Sequence, residues 1–263
     1  MGKWLAVLGL VLVLGVCAIA AAEDDDFIMG NYKGTAKAAS GESVFITAQV
    51  AAMPGERFRA VLFVPDENGD EKRCEIKGKK DRKDVPKDKK DDPKENRAVI
   101  SGSINLDGSL GTFKVNGSIY QETFTGNFKG EAYEGTFEMK RTVIASPTLG
   151  MAPPEGAIVL MDGKSADAWN CLPYWQVLGD GSMGMRGSSL VSKQEFGSAQ
   201  YHVEFKCPFM PNNLGQERGN SGCYVMGRYE VQVLDSFADL PADNLCGGIY
   251  KEATPTTCAS ADR

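Results

Sequence analysis

From Phe27 to about Ile144, apolar and polar residues alternate in short runs: Val44 to Val50, Phe58 to Val64, Arg97 to Ile104, Gly111 to Ile119, Thr123 to Phe128 and Tyr133 to Lys140. A period of two puts successive side chains on opposite faces of an extended chain. Glycines and asparagines break the runs at close intervals, as in Asn105-Leu106-Asp107-Gly108 and Asn116-Gly117. This spacing predicts a small antiparallel β meander or barrel over residues 23–145. One stretch departs from it. Asp70 to Arg97 carries 12 basic and nine acidic residues in 28, with few apolar side chains to offset the entropy of ordering, and reads as a solvated charged loop (70–97).

Ser146-Pro147 and Pro153-Pro154-Glu155-Gly156 then interrupt the pattern, and residues 146–156 read as a stiff, proline-rich linker. Beyond it, alternation resumes at Ala157 to Met161, Ser189 to Ser192, Gln200 to Lys206, Gly222 to Arg228 and Tyr229 to Leu234. Nothing longer than a turn or two reads as helix. The second region, 157–263, therefore carries a β-sandwich signature, and the whole chain is predicted to be all-β.

Before all of this stands Lys3, an apolar run from Leu5 to Ala22, and Ala20-Ala21-Ala22 ahead of Glu23. That pattern predicts a signal peptide over residues 1–22, cleaved on export to the periplasm or the exterior, with no stable membrane span afterwards. Six of the seven cysteines lie beyond the leader, none spaced as C-x-x-C, and their pairing stays open.

Charge and composition narrow the chemistry. A net charge of −6 over 263 residues argues against a nucleic-acid binder. His202 is the only histidine, so a two-histidine zinc site or an HExxH helix cannot be built from these residues. Any catalysis falls to carboxylates, amides, tyrosines, lysines, arginines or this one imidazole.

Strand parity groups such residues. In Tyr201-His-Val-Glu-Phe-Lys206 the odd positions are apolar, so His202, Glu204 and Lys206 share the polar face. In Tyr229-Glu-Val-Gln-Val-Leu-Asp235 the odd positions again read as core, leaving Glu230 and Gln232 together, with Arg228 and Asp235 at the ends. If the two strands were neighbours, their polar faces would line a sugar-sized concavity holding the paired carboxylates that acid/base chemistry needs. The competing reading is a solvated sheet face.

The same residues carry a family resemblance. Leu160-Met-Asp-Gly-Lys164 with Trp169, Trp175-Gln-Val177, Phe196-Gly197 before Gln200-Tyr-His-Val-Glu-Phe205, the block Arg218-Gly-Asn-Ser-Gly-Cys-Tyr-Val-Met-Gly-Arg-Tyr-Glu-Val-Gln-Val-Leu-Asp-Ser236, and Cys246-Gly-Gly-Ile-Tyr250 resemble the 3-keto-disaccharide hydrolase domain family. The resemblance implies a concanavalin-like jelly roll, incomplete at the C-terminus because the family's domain runs on past the equivalent of Arg263. It also implies an oligosaccharide or glycoside substrate already oxidised at C3, cleaved by removal of the C2 proton, loss of the C1 substituent and hydration. On that reading Glu230 is the base or a metal-holding carboxylate, Glu204 the alternative acid/base, and Gln232 orients sugar or water. Arg228, Lys206 or Tyr250 would stabilise the enolate. Asn220 and Ser221 shape a turn presenting backbone donors, and His202 and Asp235 complete the groove. A divalent cation could replace the cationic donor. Two other readings stand beside this one: a non-catalytic carbohydrate-binding jelly roll, and a retaining glycosidase. The latter's Glu-x-Asp-x-x-Glu strand is poorly matched by Glu230, Gln232 and Asp235.

Overall fold

The computed structural model describes residues 5–13 by backbone alone and 28–83, 96–170, 175–184, 189–240 and 242–256 in full. Most of the expected leader, residues 84–95 of the charged stretch, and Cys17, Cys171 and Cys258 lie outside the described residues.

Residues 30–142 form a closed barrel of eight antiparallel strands in sequential order: β2 (Gly30–Ala38), β3 (Ser43–Met53), β4 (Arg57–Pro65), β5 (Glu71–Lys80), β6 (Arg97–Asn105), β7 (Thr112–Tyr120), β8 (Thr123–Lys129) and β9 (Glu134–Thr142). Six of them were expected from alternation. Two were not. Pairing of β2 with β9, from Asn31↔Thr142 to Ala38↔Gly135, closes the cylinder and removes both sheet edges.

The charged stretch is corrected at its start. Glu71–Lys80 is not a loop but strand β5, paired with β4 from Arg57↔Lys79 to Pro65↔Glu71. Five of its charges sit on the outward positions Glu71, Arg73, Glu75, Lys77 and Lys79; on the inward parity, Lys72 and Lys80 stand at the strand's two ends and Cys74 and Ile76 between them are buried. A barrel strand needs only one apolar face, and two buried side chains are enough to seat this one.

The barrel's packed half lies towards the β3–β4 and β7–β8 turns. Tyr32, Phe58, Ile100, Ile119 and Phe124 are fully buried there, and the Tyr32 hydroxyl donates to the Ile28 carbonyl at 2.6 Å. Gly117 and Gly126 face each other across β7 and β8; a methyl group on Gly126 would come within 2.6 Å of the Phe137 ring and 2.7 Å of Gly117 Cα. The rings of Phe124 and Phe137 meet edge-to-face over this pair, centroids 5.1 Å apart, so the missing side chains are the space the aromatics fill.

The second region is all-β as expected, built from short strands in small sheets. Strand β1 (Leu5–Val13) runs parallel to β10 (Ile158–Val159), β13 (Met183–Gly184) and β15 (Ala199–Lys206), with β12 (Gln176–Val177) on the far side of β13. Strands β11 (Trp169–Asn170) and β14 (Val191–Ser192) pair separately, as do β16 (Asn220–Val225) and β17 (Tyr229–Leu234). Met161, Trp175 and Met183 form a small core of their own.

The two regions are packed together. Phe237 and Ala238 are buried in the barrel's own hydrophobic cluster, with Phe209 packed against it. Arg218 is 4% exposed; its Nη2 donates to the Ala52 carbonyl at 2.7 Å and its Nε to that of Asn213 at 3.1 Å. Arg59 and Asp239 form an ion pair across the same joint. These contacts close the barrel end that carries the β3–β4 turn.

Candidate functional site

The β16–β17 hairpin turns through Met226 and Gly227, both at positive φ, and the Arg228 N–H donates to the Val225 carbonyl at 3.1 Å. Its register sets Tyr224 opposite Glu230, Gly222 opposite Gln232 and Asn220 opposite Leu234, so these six side-chain positions share one face. The Tyr224 hydroxyl donates to Glu230 Oε2 at 2.8 Å. A side chain at residue 222 would collide with Glu230: a Cβ there would lie 2.5 Å from its Cγ and 2.6 Å from its carboxyl carbon. Glycine at 222 is thus what lets the Glu230 carboxylate lie across the strand to reach Tyr224.

Donation to Glu230 holds the Tyr224 hydroxyl above the ordinary phenol range, with burial and the Glu230 charge adding to it. Tyr250 lies on the far edge of β17, where its N–H donates to the Glu230 carbonyl at 2.9 Å. The Lys251 ammonium sits 5.2 Å above the Tyr250 ring, and the Arg228 guanidinium 5.1 Å from the Tyr229 ring at the turn. Tyr224, Glu230, Tyr250 and these two cations therefore gather at one end of the hairpin. Sequence reasoning missed Tyr224. The signal was present, since a Met-Gly-Arg turn between two alternating runs fixes the register that puts Tyr224 across from Glu230.

Further along, the structure corrects the expected roles. Gln232 was placed on an open polar face; it is 2% exposed, and its Nε2 donates to Gln216 Oε1 at 2.9 Å. Asn220 Nδ2 donates to the Gln216 carbonyl at 3.0 Å. Gln216, which sequence reasoning did not single out, thus ties both amides into a structural network beneath the strand. The odd positions Tyr229 and Val231, expected in the core, are each 39% exposed. Asp235 turns back on the chain, its Oδ1 accepting from the Phe237 N–H at 3.4 Å and its own N–H donating to Gly219 at 2.8 Å.

Strand β15 shows the same reversal. His202, Glu204 and Lys206 do share a face, with His202 Nε2 3.1 Å from Glu204 Oε1. That face is the more covered one, because Gly150 in the linker donates its N–H to Glu204 Oε1 at 2.6 Å. Tyr201 and Phe205, expected inside, are exposed. Alternation identifies which residues share a face, but what packs against the strand decides which face is buried. Lys206 is exposed and, after the stronger hydrogen bonds from Ser182, helps hold the Asp180 carboxyl below its usual range.

Strands β15 and β17 are not neighbours; they lie in different sheets. The expected concavity lined by both polar faces is therefore not formed, and Glu230 and Glu204 belong to two separate clusters. Among the described residues no three His, Cys, Asp or Glu side chains converge as a metal-binding group.

An eight-stranded barrel docked to a second β region, with a tyrosine–glutamate pair exposed on a hairpin of that region, defines a two-part all-β protein. Residues 156–263 match the model of the family described as the 3-keto-alpha-glucoside-1,2-lyase-like domain, the family that the sequence motifs resemble. Two solved structures are similar to the chain: a redesigned β barrel, 15% identical, TM-score 0.31, covering 47% of this chain and 99% of that one, and a de novo designed fluorescence-activating β barrel, 14% identical, TM-score 0.28, covering 46% and 98%. Neither likeness bears on the chemistry. No curated protein matches.

Proposed function

We propose that the protein is exported and that its second region acts on 3-keto-glycosides, eliminating the C1 substituent. The observation that carries this reading is the match of residues 156–263 to a 3-keto-alpha-glucoside-1,2-lyase-like domain, whose segment contains the hairpin with Glu230. A ketone at C3 acidifies the C2 proton. Glu230 takes that proton, the electron pair forms the enolate, and collapse of the enolate expels the C1 oxygen and leaves a C1–C2 double bond. The leaving oxygen needs a proton, and addition of water across the double bond then completes a net hydrolysis. Tyr224 takes the donor role by position, its hydroxyl lying 2.8 Å from Glu230, and Arg228 and Lys251, on the residues flanking the same end of the hairpin, supply positive charge for the enolate oxygen. Glu204, His202 and Lys206, in a separate sheet, are assigned no part in this step.

The test compares a C3-oxidised disaccharide with its parent. Release of the C1 substituent from the keto-sugar alone, abolished by Glu230→Gln, supports the reading; turnover that survives Glu230→Gln removes Glu230 as the base.

The separation of the two carboxylate clusters favours a second reading, a non-catalytic module that binds carbohydrate. Saturable glycan binding with no product from keto-sugar would select it.

A further inference from the structure

The barrel is packed at one end only. Towards the β2–β3, β4–β5, β6–β7 and β8–β9 turns its interior opens into a cavity of about 580 Å³. This falls within the roughly 300–1,000 Å³ of small-molecule sites. Its depth is lined by apolar side chains, among them Ile46, Leu62, Ile104, Phe113, Val115 and Phe137. Carboxylates stand only at the mouth: Glu42, Asp66 and Glu67.

We propose that this cavity is a binding site for one uncharged, apolar small molecule, inserted between the strands with any polar group left at the mouth. Three observations carry it. Eight strands are about the number at which an interior can either be filled by its own side chains or hold one small ligand, and this barrel is filled at one end and leaves a cavity at the other. An apolar lumen has no donors or acceptors to hold ordered water, so an apolar guest displaces water that is poorly bound. The rim is acidic and committed, with Glu67 accepting from Ser109 N–H at 2.9 Å and from its hydroxyl at 2.6 Å, and Asp66 from the N–H groups of Asn68 and Asp70 at 2.9 Å. Three carboxylates at the entrance select against anions, fatty acids included. The site is independent of the proposed sugar chemistry. The second region docks at the opposite end of the barrel, through Phe237, Arg218 and Ala52.

The test titrates the full chain with N-phenyl-1-naphthylamine, an uncharged probe, and with its anionic relative 1-anilinonaphthalene-8-sulfonate. One saturable site for the neutral probe is expected, with the anion at least about tenfold weaker. Ala36 points into the lumen and Thr35 outward, so Ala36→Trp should weaken the neutral probe at least about tenfold and Thr35→Trp leave it unchanged. If Ala36→Trp does not fold, Val44→Trp at the mouth, where residue 44 is already 44% exposed, makes the same measurement. Equal binding of both probes, binding without saturation, or neutral-probe binding untouched by a folded lumen variant overturns the proposal.

Discussion

Gly222→Ala separates the hairpin's stability from its chemistry. An alanine methyl at 222 would lie 2.6 Å from the Glu230 carboxyl carbon, where non-bonded carbons rest at about 3.5–4.0 Å, so something must move by about 1 Å. The obstacle is the free end of a flexible side chain rather than backbone. Glu230 therefore swings aside and loses its 2.8 Å bond from Tyr224. Tyr224 is largely exposed, so that bond contributes roughly 0.5–1 kcal/mol. Replacing glycine by alanine within a strand returns about 0.5–1 kcal/mol of backbone entropy. The two nearly cancel, and the melting temperature should stay within about 2 °C of the parent. Function should not be spared in the same way, since a reacting group displaced by about 1 Å can lose on the order of a hundredfold in rate. Two assays read the outcome. kcat/KM on a 3-keto-disaccharide should fall at least about tenfold. In spectra of the protein labelled with ¹³C at the tyrosine ζ position, the Tyr224 resonance should titrate lower than in the parent, because the carboxylate that favoured its neutral form has left. An unmoved Tyr224 titration, or full activity with Glu230 displaced, would refute the reasoning.

Other consequences follow from the joint and the rim. Phe237 is 3% exposed within the barrel cluster, so Phe237→Ala should cost about 3 kcal/mol and lower the melting temperature by about 6–12 °C; a fall under about 2 °C by calorimetry would mean the two regions are not packed through it. Glu67 is held below the usual carboxylate range by hydrogen bonds from the Ser109 hydroxyl and N–H. Its folded value is depressed, so its contribution is present above the unfolded value and lost as pH falls through the folded one. Ser109→Ala should therefore lower the melting temperature near neutrality and converge with the parent under acid. A gap that persists or widens at low pH would show that the serine acts by other means.

Much of the barrel was legible and its closure was not. The runs that became β3, β4 and β6 to β9 carry large apolar residues at alternate positions, and period alone exposes them. Strand β2 turns Tyr32 inward but follows it with Gly34, Ala36 and Ala38, too small to register as a hydrophobic face, and β5 hides two buried side chains among charges. Both owe their structure to partners on each side, which a local pattern does not reveal. The candidate site was legible to the same depth. Co-facial residues were grouped correctly, as His202 with Glu204 shows, but the neighbours that cover them, Gly150 over Glu204 and Gln216 against Gln232, come from distant positions.

The block from Arg218 to Ser236 carries the family resemblance, yet its residues divide between two tasks. Tyr224 and Glu230 form the exposed pair, with Gly222 leaving room for it, whereas Arg218 is withdrawn into the joint, where it donates to Ala52 of the barrel. A buried guanidinium satisfied by two carbonyls is costly to leave unpaired, so the hairpin is held where the barrel supplies those carbonyls. The β16 strand begins two residues after Arg218, and the Asp235 N–H, just past the end of β17, bonds to Gly219. The base of the hairpin is thus fixed to the barrel, while Tyr224, Arg228 and Glu230 lie at its other end, beside the turn. In this chain the barrel is the support from which the candidate chemistry is presented, and its open lumen, at the far end, is free to bind without disturbing that support.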